Sequence, residues 1–310
     1  MRQLLSALSH MPSLEALSLV RAIAFARADT ITPQSIVLPR LAYFRLAGNV
    51  LSYSRMFDHL SLPSLLHLSI SSMSLRTGGI SDDLDSILPM LTYWSNRPGV
   101  GSILYLKCES NGTDVFFDTM DSDIPGGHID DLQSTAPRLR LDVTLLQADD
   151  FQSAEEMLVR AVCNTMPLQN LETLCTTRLN LSEDRWWEFF GHLPRLKRHI
   201  NRYDSDGRFL RALSAEDHIT PPTGESCPRL YFPALEVLEI EGWNIHEMRD
   251  SDVRGSLELL LACFRKRSEL HSPIQEFHIK RCIMLLSQDD MEQLEAAVQK
   301  VVWHRPESSS

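Results

Sequence analysis

A short template, P-x-φ-x-x-φ-x-φ with φ apolar, recurs along the chain and constrains its fold more than any other feature. It reads Pro12, Leu14, Leu17, Leu19, then Pro39, Leu41, Phe44, Leu46, then Pro63, Leu65, Leu68, Ile70. It returns as Pro233, Leu235, Leu238, Ile240, and a last copy, Ile274, Phe277, Ile279, has its proline shifted to Pro273. The last two apolar positions are two apart and share one face of a short strand. The first, three residues earlier, turns into the same core as the chain approaches that strand. Proline ahead of it fixes φ and stops a preceding helix, and there it removes no ladder hydrogen bond. Weaker copies fall between. Pro98, Val100, Ile103, Tyr105 fits, and a register through Leu104 and Leu106 fits as well. Leu171, Leu174 lacks its third apolar residue, while Pro137-Arg138-Leu139 and Pro194-Arg195-Leu196 lose the spacing.

Between these segments the apolar period becomes helical. Leu84, Ile87, Leu88, Leu91 and Trp94 form one stripe, and Trp186, Phe189, Phe190 and Leu193 another. Leu257, Leu260, Leu261 and Phe264 follow, and Met291, Leu294, Val298 and Val301 close the series. Such one-sided stripes predict amphipathic helices. Ser153-x-x-Glu156 and Ser287-x-x-Asp290 read as capping-box starts. Strand then helix, repeated, requires parallel strands joined by right-handed crossovers. One unit of about 25 residues buries too little apolar surface to offset its own ordering, so neighbours must stack.

The template resembles the leucine-rich-repeat consensus L-x-x-L-x-L-x-x-N/C. Phe44-x-Leu46-x-x-Asn49 supplies the asparagine form and Phe277-x-Ile279-x-x-Cys282 the cysteine form; Ala22, Met73 and Trp243 stand at that position elsewhere. Irregular LPxLxxLxL repeats with helical connectors and Trp-rich segments are similar to the C-terminal regions of fungal F-box/leucine-rich-repeat proteins, over most of residues 10–300. The resemblance implies an α/β fold: an irregular leucine-rich-repeat solenoid with a parallel sheet on the concave side and helices on the convex side. Residues 1–304 are expected to form one solenoid, with irregular loops near 109–135 and 215–226 and a frayed tail over 305–310. It also implies the substrate-recognition repeats of an F-box-like ubiquitin-ligase component. In that family a helical F-box recruits a Skp1-type adaptor. No such segment is visible in this chain, which opens on Leu4, Leu5 and Leu8 and reaches its first repeat at Pro12. Adaptor binding is therefore expected only if an F-box lies upstream of Met1.

Charge and composition narrow the function. With 41 acidic against 30 basic residues the net charge is -11. That disfavours nucleic acid, whose binders derive most affinity from basic phosphate contacts. The run Arg265-Lys266-Arg267 reads as basic placement at a helix C-terminus. The six cysteines form no C-x-x-C and no zinc spacing, and no apolar run is long enough to span a bilayer. A reducing cytoplasmic or nuclear setting is the expectation. Asp121-x-Asp123 starts like an EF-hand loop, but Pro125 and Leu132 occupy ligand positions. Gly99-x-Gly101 and Thr77-Gly78-Gly79 lack the rest of a nucleotide motif, and no hydrolase signature is found. The sequence therefore predicts a non-enzymatic chain with no cofactor and no metal.

The expected activity is binding another protein through the concave strand face. The residues interleaved with the apolar positions should form it: Tyr43 and Arg45, His67 and Ser69, Val237 and Glu239, Glu276 and His278, with Ala16 and Ser18 on the first strand. Trp186 fits its helical stripe; Trp187 falls off it and is a candidate exposed anchor. The rival readings are a truncated or standalone repeat protein without a ubiquitin-ligase role, and an enzyme whose site is not a motif.

Overall fold

Extended and helical segments alternate as the two apolar periods require. The structure is a computed structural model that describes residues 2–21, 35–48, 50–72, 80–97, 101–121, 137–145, 151–203, 207–217, 229–242, 250–282 and 287–304. In chain order its first elements are α1 (Arg2–Ser9), β1 (Ala16–Val20), β2 (Ile36–Val37), β3 (Tyr43–Gly48), α2 (Val50–Phe57), β4 (Leu60–Ser61), β5 (His67–Ser72) and α3 (Ile80–Ser95). There follow β6 (Tyr105–Ser110), β7 (Asp114–Met120), β8 (Leu139–Thr144), α4 (Phe151–Thr165), β9 (Thr173–Thr177), α5 (Glu183–Trp186) and β10 (Arg198–Arg202). The last are α6 (Arg208–Leu213), β11 (Glu216–Asp217), β12 (Arg229–Leu230), β13 (Val237–Glu241), α7 (Asp250–Glu269), β14 (Glu276–Lys280), α8 (Gln288–Ala297) and β15 (Lys300–His304). The chain divides into two compact units. The first is Met1–Ile103 with Ser110–Pro167, the second Leu104–Glu109 with Leu168–Ser310.

Both units are mixed α/β. In the first, strands run in the order β1-β3-β5-β8-β7, all parallel except the β7–β8 pair. Register places Leu17, Phe44, Leu68 and Leu139 in one apolar row and Leu19, Leu46, Ile70 and Leu141 in the next. Helices α2, α3 and α4 pack in succession. Phe57 of α2 stacks on Phe44 at 5.9 Å and meets Tyr93 of α3 edge-on at 5.2 Å. In the second unit the order is β6-β9-β10-β13-β14-β15, all parallel. Helices α5, α6, α7 and α8 pack in succession, and Phe264 of α7 meets Phe277 of β14 at 5.3 Å.

The template has a backbone explanation. Its first apolar residue donates its N–H to the carbonyl three residues earlier, closing a β-turn. Such bonds run Leu14 to Met11, Leu41 to Leu38, Leu65 to Leu62, Leu196 to Leu193 and Leu235 to Phe232. Proline sits second in each turn, where its fixed φ fits. The next rung is then aligned by one carbonyl accepting two successive N–H groups. Glu15 O accepts from Ala42 and Tyr43, Ala42 O from Leu66 and His67, Leu104 O from Glu172 and Thr173, and Glu172 O from Lys197 and Arg198. Lys197 O accepts from Glu236 and Val237, and Glu236 O from Gln275 and Glu276.

The weak copies are resolved in the same terms. Ile103, Leu106 and Cys108 occupy the three apolar positions, so the register through Leu106 holds and Tyr105 faces the other way, paired with Thr173. Thr176 fills the missing position after Leu174, and His199 and Asn201 fill the two after Leu196. All three are buried, and the Thr176 hydroxyl lies 3.0 Å from His199 Nε2. Burial pushes the His199 pKa down to about 3, so the ring is neutral and packs among Trp186 and Phe209.

Several local expectations change. Helix α4 begins at Phe151, which puts Ser153 inside the helix and not at its cap. The Ser287–Asp290 capping box does form. The last helical stripe stops at Val298, because Lys300–His304 joins β14 as a parallel strand. Within the loop expected near 109–135, Asp114–Met120 is a regular strand antiparallel to β8. In the loop expected near 215–226, Glu216–Asp217 pairs with Arg229–Leu230. Asn49, Ala22, Met73, Trp243, Asp123, Pro125, Thr77, Gly99 and the 305–310 tail lie outside the described residues.

Arg267 lies in the last turn of α7, as the basic run at a helix C-terminus predicts, and it is fully buried there. Its guanidinium donates to the carbonyls of Tyr231 (3.0 Å), Phe232 (2.8 Å), Leu213 (3.4 Å) and Ser272 (3.1 Å) and to Ser272 Oγ (2.9 Å). One side chain on α7 thereby satisfies the end of α6 and the turn ahead of β13. Burial draws its pKa down to about 10, which leaves it charged at neutral pH. Arg267→Met should destabilise the protein by about 3–5 kcal/mol, because the carbonyls it holds lose their donor together. Urea unfolding with an unchanged m-value measures this. Gly242→Ala places a Cβ 2.3 Å from the Tyr203 ring at φ +71, and should cost about 1–3 kcal/mol by the same assay.

Candidate functional site

Helices pack against the apolar rows, so the alternate residues of every strand occupy the opposite face of their sheet. In the first unit that face carries Ala16, Tyr43 and His67 at one level and Ser18, Arg45, Ser69 and Arg140 at the next. Tyr43 and His67 are register partners with ring centroids 6.5 Å apart. His67 Nδ1 lies 3.1 Å from the Pro137 carbonyl, which fixes the ring. Arg45 is exposed, Ser69 is half-buried, and Tyr43 and Val20 expose 37% and 53% of their surface. Arg140 is bidentate to Asp118 at 2.8 and 3.0 Å, and Ser71 donates to Asp142 at 3.2 Å. Burial raises the Asp142 pKa, with Asp114 and Asp118 adding to the effect.

The corresponding face of the second unit is a lattice of paired charges. Glu239 lies between two cations from the flanking strands, Arg198 at 2.7 Å and Lys280 at 3.0 Å. Both are diagonal neighbours in the register, within reach of long side chains. Glu241 is held by Arg202 at 2.7 Å and Arg281 at 3.1 Å. Glu276 bridges His278 at 2.9 Å and Lys300 at 3.1 Å, and Lys107 pairs with Glu109. Val237 is half-buried beside Glu276, its register partner. The expectation that Glu239 lines an open surface is corrected: it is fully buried. Alternation fixes which face a side chain takes but not its exposure. Here Arg198 and Lys280 fold over the carboxylate and close it off.

Burial alone would raise the Glu239 pKa. The hydrogen bonds from Arg198 and Lys280 outweigh it, so the group sits below its ordinary 4.5. The Cys175 thiol lies on this same face and is fully buried. Burial pushes its pKa up, against the weaker pull of Arg202, the Tyr105 hydroxyl and Lys107, so it is a protonated thiol. Burial likewise pushes Cys263 up to about 12. The Cys282 thiol donates to the carbonyls of Lys280 (3.3 Å) and Ile240 (3.7 Å). Trp187 is half-buried; its Nε1 donates to the Ala212 carbonyl at 3.1 Å and its ring stacks on Tyr231 at 5.1 Å. It is a structural clasp and not an open anchor.

The structure thus brings Tyr43, Arg45, His67 and Ser69 together in one unit and Val237, Glu239, Glu276 and His278 in the other. The sequence reading missed Arg198, Arg202, Glu241 and Lys280. Arg198, Arg202 and Lys280 belong to weak or final copies, yet each follows the same alternation, which was the available signal. Among the described residues there is no group of three or more His, Cys, Asp or Glu suited to a metal, and no helix long and apolar enough to cross a membrane. No protein-family model, curated protein or solved structure matches the chain.

A carboxylate with a lowered native pKa stabilises the fold above its unfolded value, and that stability is lost as pH falls through the native one. Glu239→Gln should therefore cost about 3–5 kcal/mol at pH 7 and flatten the decline in stability below pH 4.5. Unfolding free energies of both proteins between pH 3 and 7 give the comparison.

Proposed function

We propose that the chain is a protein-interaction module that captures another protein on the strand face turned away from its helices. The observation that carries this is the exposed Tyr43–Arg45 patch of the first unit, held by a rigid parallel ladder. Tyrosine and arginine dominate binding hot spots because each offers large contact area and directional hydrogen bonds. The paired charges of the second unit suit docking: pairs fixed on strands give a partner a preset pattern with little ordering left to do.

Two features favour the narrower reading of irregular leucine-rich repeats. They are the repeated proline turn with its shared carbonyl, and the Cys282 thiol bonded to strand-end carbonyls. On that reading the chain serves as the substrate-recognition repeats of an F-box-like ubiquitin-ligase component. A Skp1-type adaptor would be engaged only if an F-box lies upstream of Met1. A standalone repeat protein without a ligase role is the alternative, and slower turnover of captured proteins on depletion of the chain separates the two.

Tyr43→Ala combined with Arg45→Glu should lower recovery of captured partners at least about tenfold, a change of ~1.4 kcal/mol. Its melting temperature should match that of the parent, since both side chains are exposed. Quantitative mass spectrometry of affinity captures reads the effect, and undiminished recovery would remove this face from the proposal.

A further inference from the structure

The strand ends of the second unit carry a feature that ladder geometry alone does not require. After four adjacent strands, β9, β10, β13 and β14, the next residue turns the chain off the sheet in the left-handed region: Arg178 (φ 52), Tyr203 (φ 56), Gly242 (φ 71) and Arg281 (φ 49). Their N–H groups extend the ladder, Arg178 to Arg202 O, Tyr203 to Glu241 O and Gly242 to Lys280 O. Glycine is the unstrained choice at such a position. Gly242 takes it, and its three neighbours do not. Strain of this kind persists where the side chain has a use.

The side chains make a continuous ridge. The Arg178 guanidinium lies over the Tyr203 ring, 5.1 Å from its centroid. That ring in turn lies against Gly242, whose missing side chain gives it a floor. Arg281 follows one strand on, one nitrogen on Glu241 at 3.1 Å and its side chain 63% exposed. Arg178 and Tyr203 are also exposed. Arg178 has no carboxylate partner among the described residues. Three strand spacings separate Arg178 from Arg281, about 14 Å. An extended peptide covers that distance in about four residues.

We propose that the Arg178–Tyr203–Arg281 ridge binds an acidic, extended segment of a protein partner, with carboxylates about four residues apart meeting the two arginines and the chain between them lying on Tyr203. This rests on the reading of the chain as a protein-binding module and assigns it a second contact with a defined chemistry. Local charge selects the occupant: a guanidinium stands at each end of the strip, with the Tyr203 ring between them. Stacking on Tyr203 orients the Arg178 plane and leaves its edge free to grip a carboxylate in bidentate fashion.

The test uses the full chain and a fluorescein-labelled hexaglutamate peptide in an anisotropy titration at low salt, with hexaglutamine as the uncharged control. Binding of hexaglutamate but not hexaglutamine is expected. Arg178→Glu with Arg281→Glu should weaken it at least about tenfold and Tyr203→Ala about threefold. Arg195→Glu with Arg265→Glu, two exposed arginines of the same unit off the ridge, should weaken it less than about twofold. Arg178→Gly relieves the backbone and should lose binding while its melting temperature stays within about 2 °C of the parent or above it. That separates loss of the ridge from loss of the fold. Equal weakening by the two double reversals, no binding of hexaglutamate, or tighter binding of a single-stranded oligonucleotide would each overturn the assignment. The Tyr43/Arg45 capture experiment tests the underlying reading separately, since those residues lie in the other unit and take no part in hexaglutamate binding.

Discussion

Among the described residues, most parallel strands are positioned by backbone groups at one or both ends, and the rest of the structure follows from that. At the start, one carbonyl accepts two successive N–H groups of the next rung. At the finish, an N–H in the left-handed region reaches the last carbonyl of the neighbouring strand. A slip of one residue would break both and send the apolar row to the wrong face. Because the ends are held, the middle of each strand can vary. Phenylalanine, leucine, histidine, threonine and asparagine all occupy the same apolar rows.

That tolerance explains where polar groups go. His199 and Thr176 enter the core as a hydrogen-bonded pair, which offsets much of the desolvation that either would suffer alone. Arg267 carries the same logic further. Turns ahead of a rung leave carbonyls pointing inward, and a guanidinium with five donors is the side chain able to meet several of them at once. In the second unit this cation ties α7 to the end of α6 and to the turn ahead of β13.

The same rigidity shapes the surface. On the face opposite the helices, strand spacing sets acidic and basic side chains at distances where long cations cover their partners. Glu239 and Glu241 are thereby taken out of solvent, and Glu239 keeps its charge there. What stays open is set by length and neighbours. Tyr43 stands beside Ala16, and Arg45 between Ser18 and Ser69, residues too short to cover them. Binding capacity sits at these margins and not at the centre of the charge lattice.

The apolar template and the helical stripes determined that strands and helices alternate, that the strands run parallel, and which side of each strand meets the core. These are local consequences of residue spacing and proline stereochemistry, so Leu17, Phe44, Leu68, Leu238 and Phe277 were legible at once. The weak rungs were not, because His199, Asn201 and Thr176 are polar and become core residues only when a neighbour supplies their hydrogen bonds. Strand β7 was hidden for a related reason: its acidic residues read as a loop until Arg140 on β8 pairs with Asp118. The candidate face was legible as a face. The burial of Glu239, the clasp at Trp187 and the Arg178–Tyr203–Arg281 ridge were not. Exposure depends on what stands within a few ångströms across strands far apart in sequence, and only the tertiary structure sets those distances.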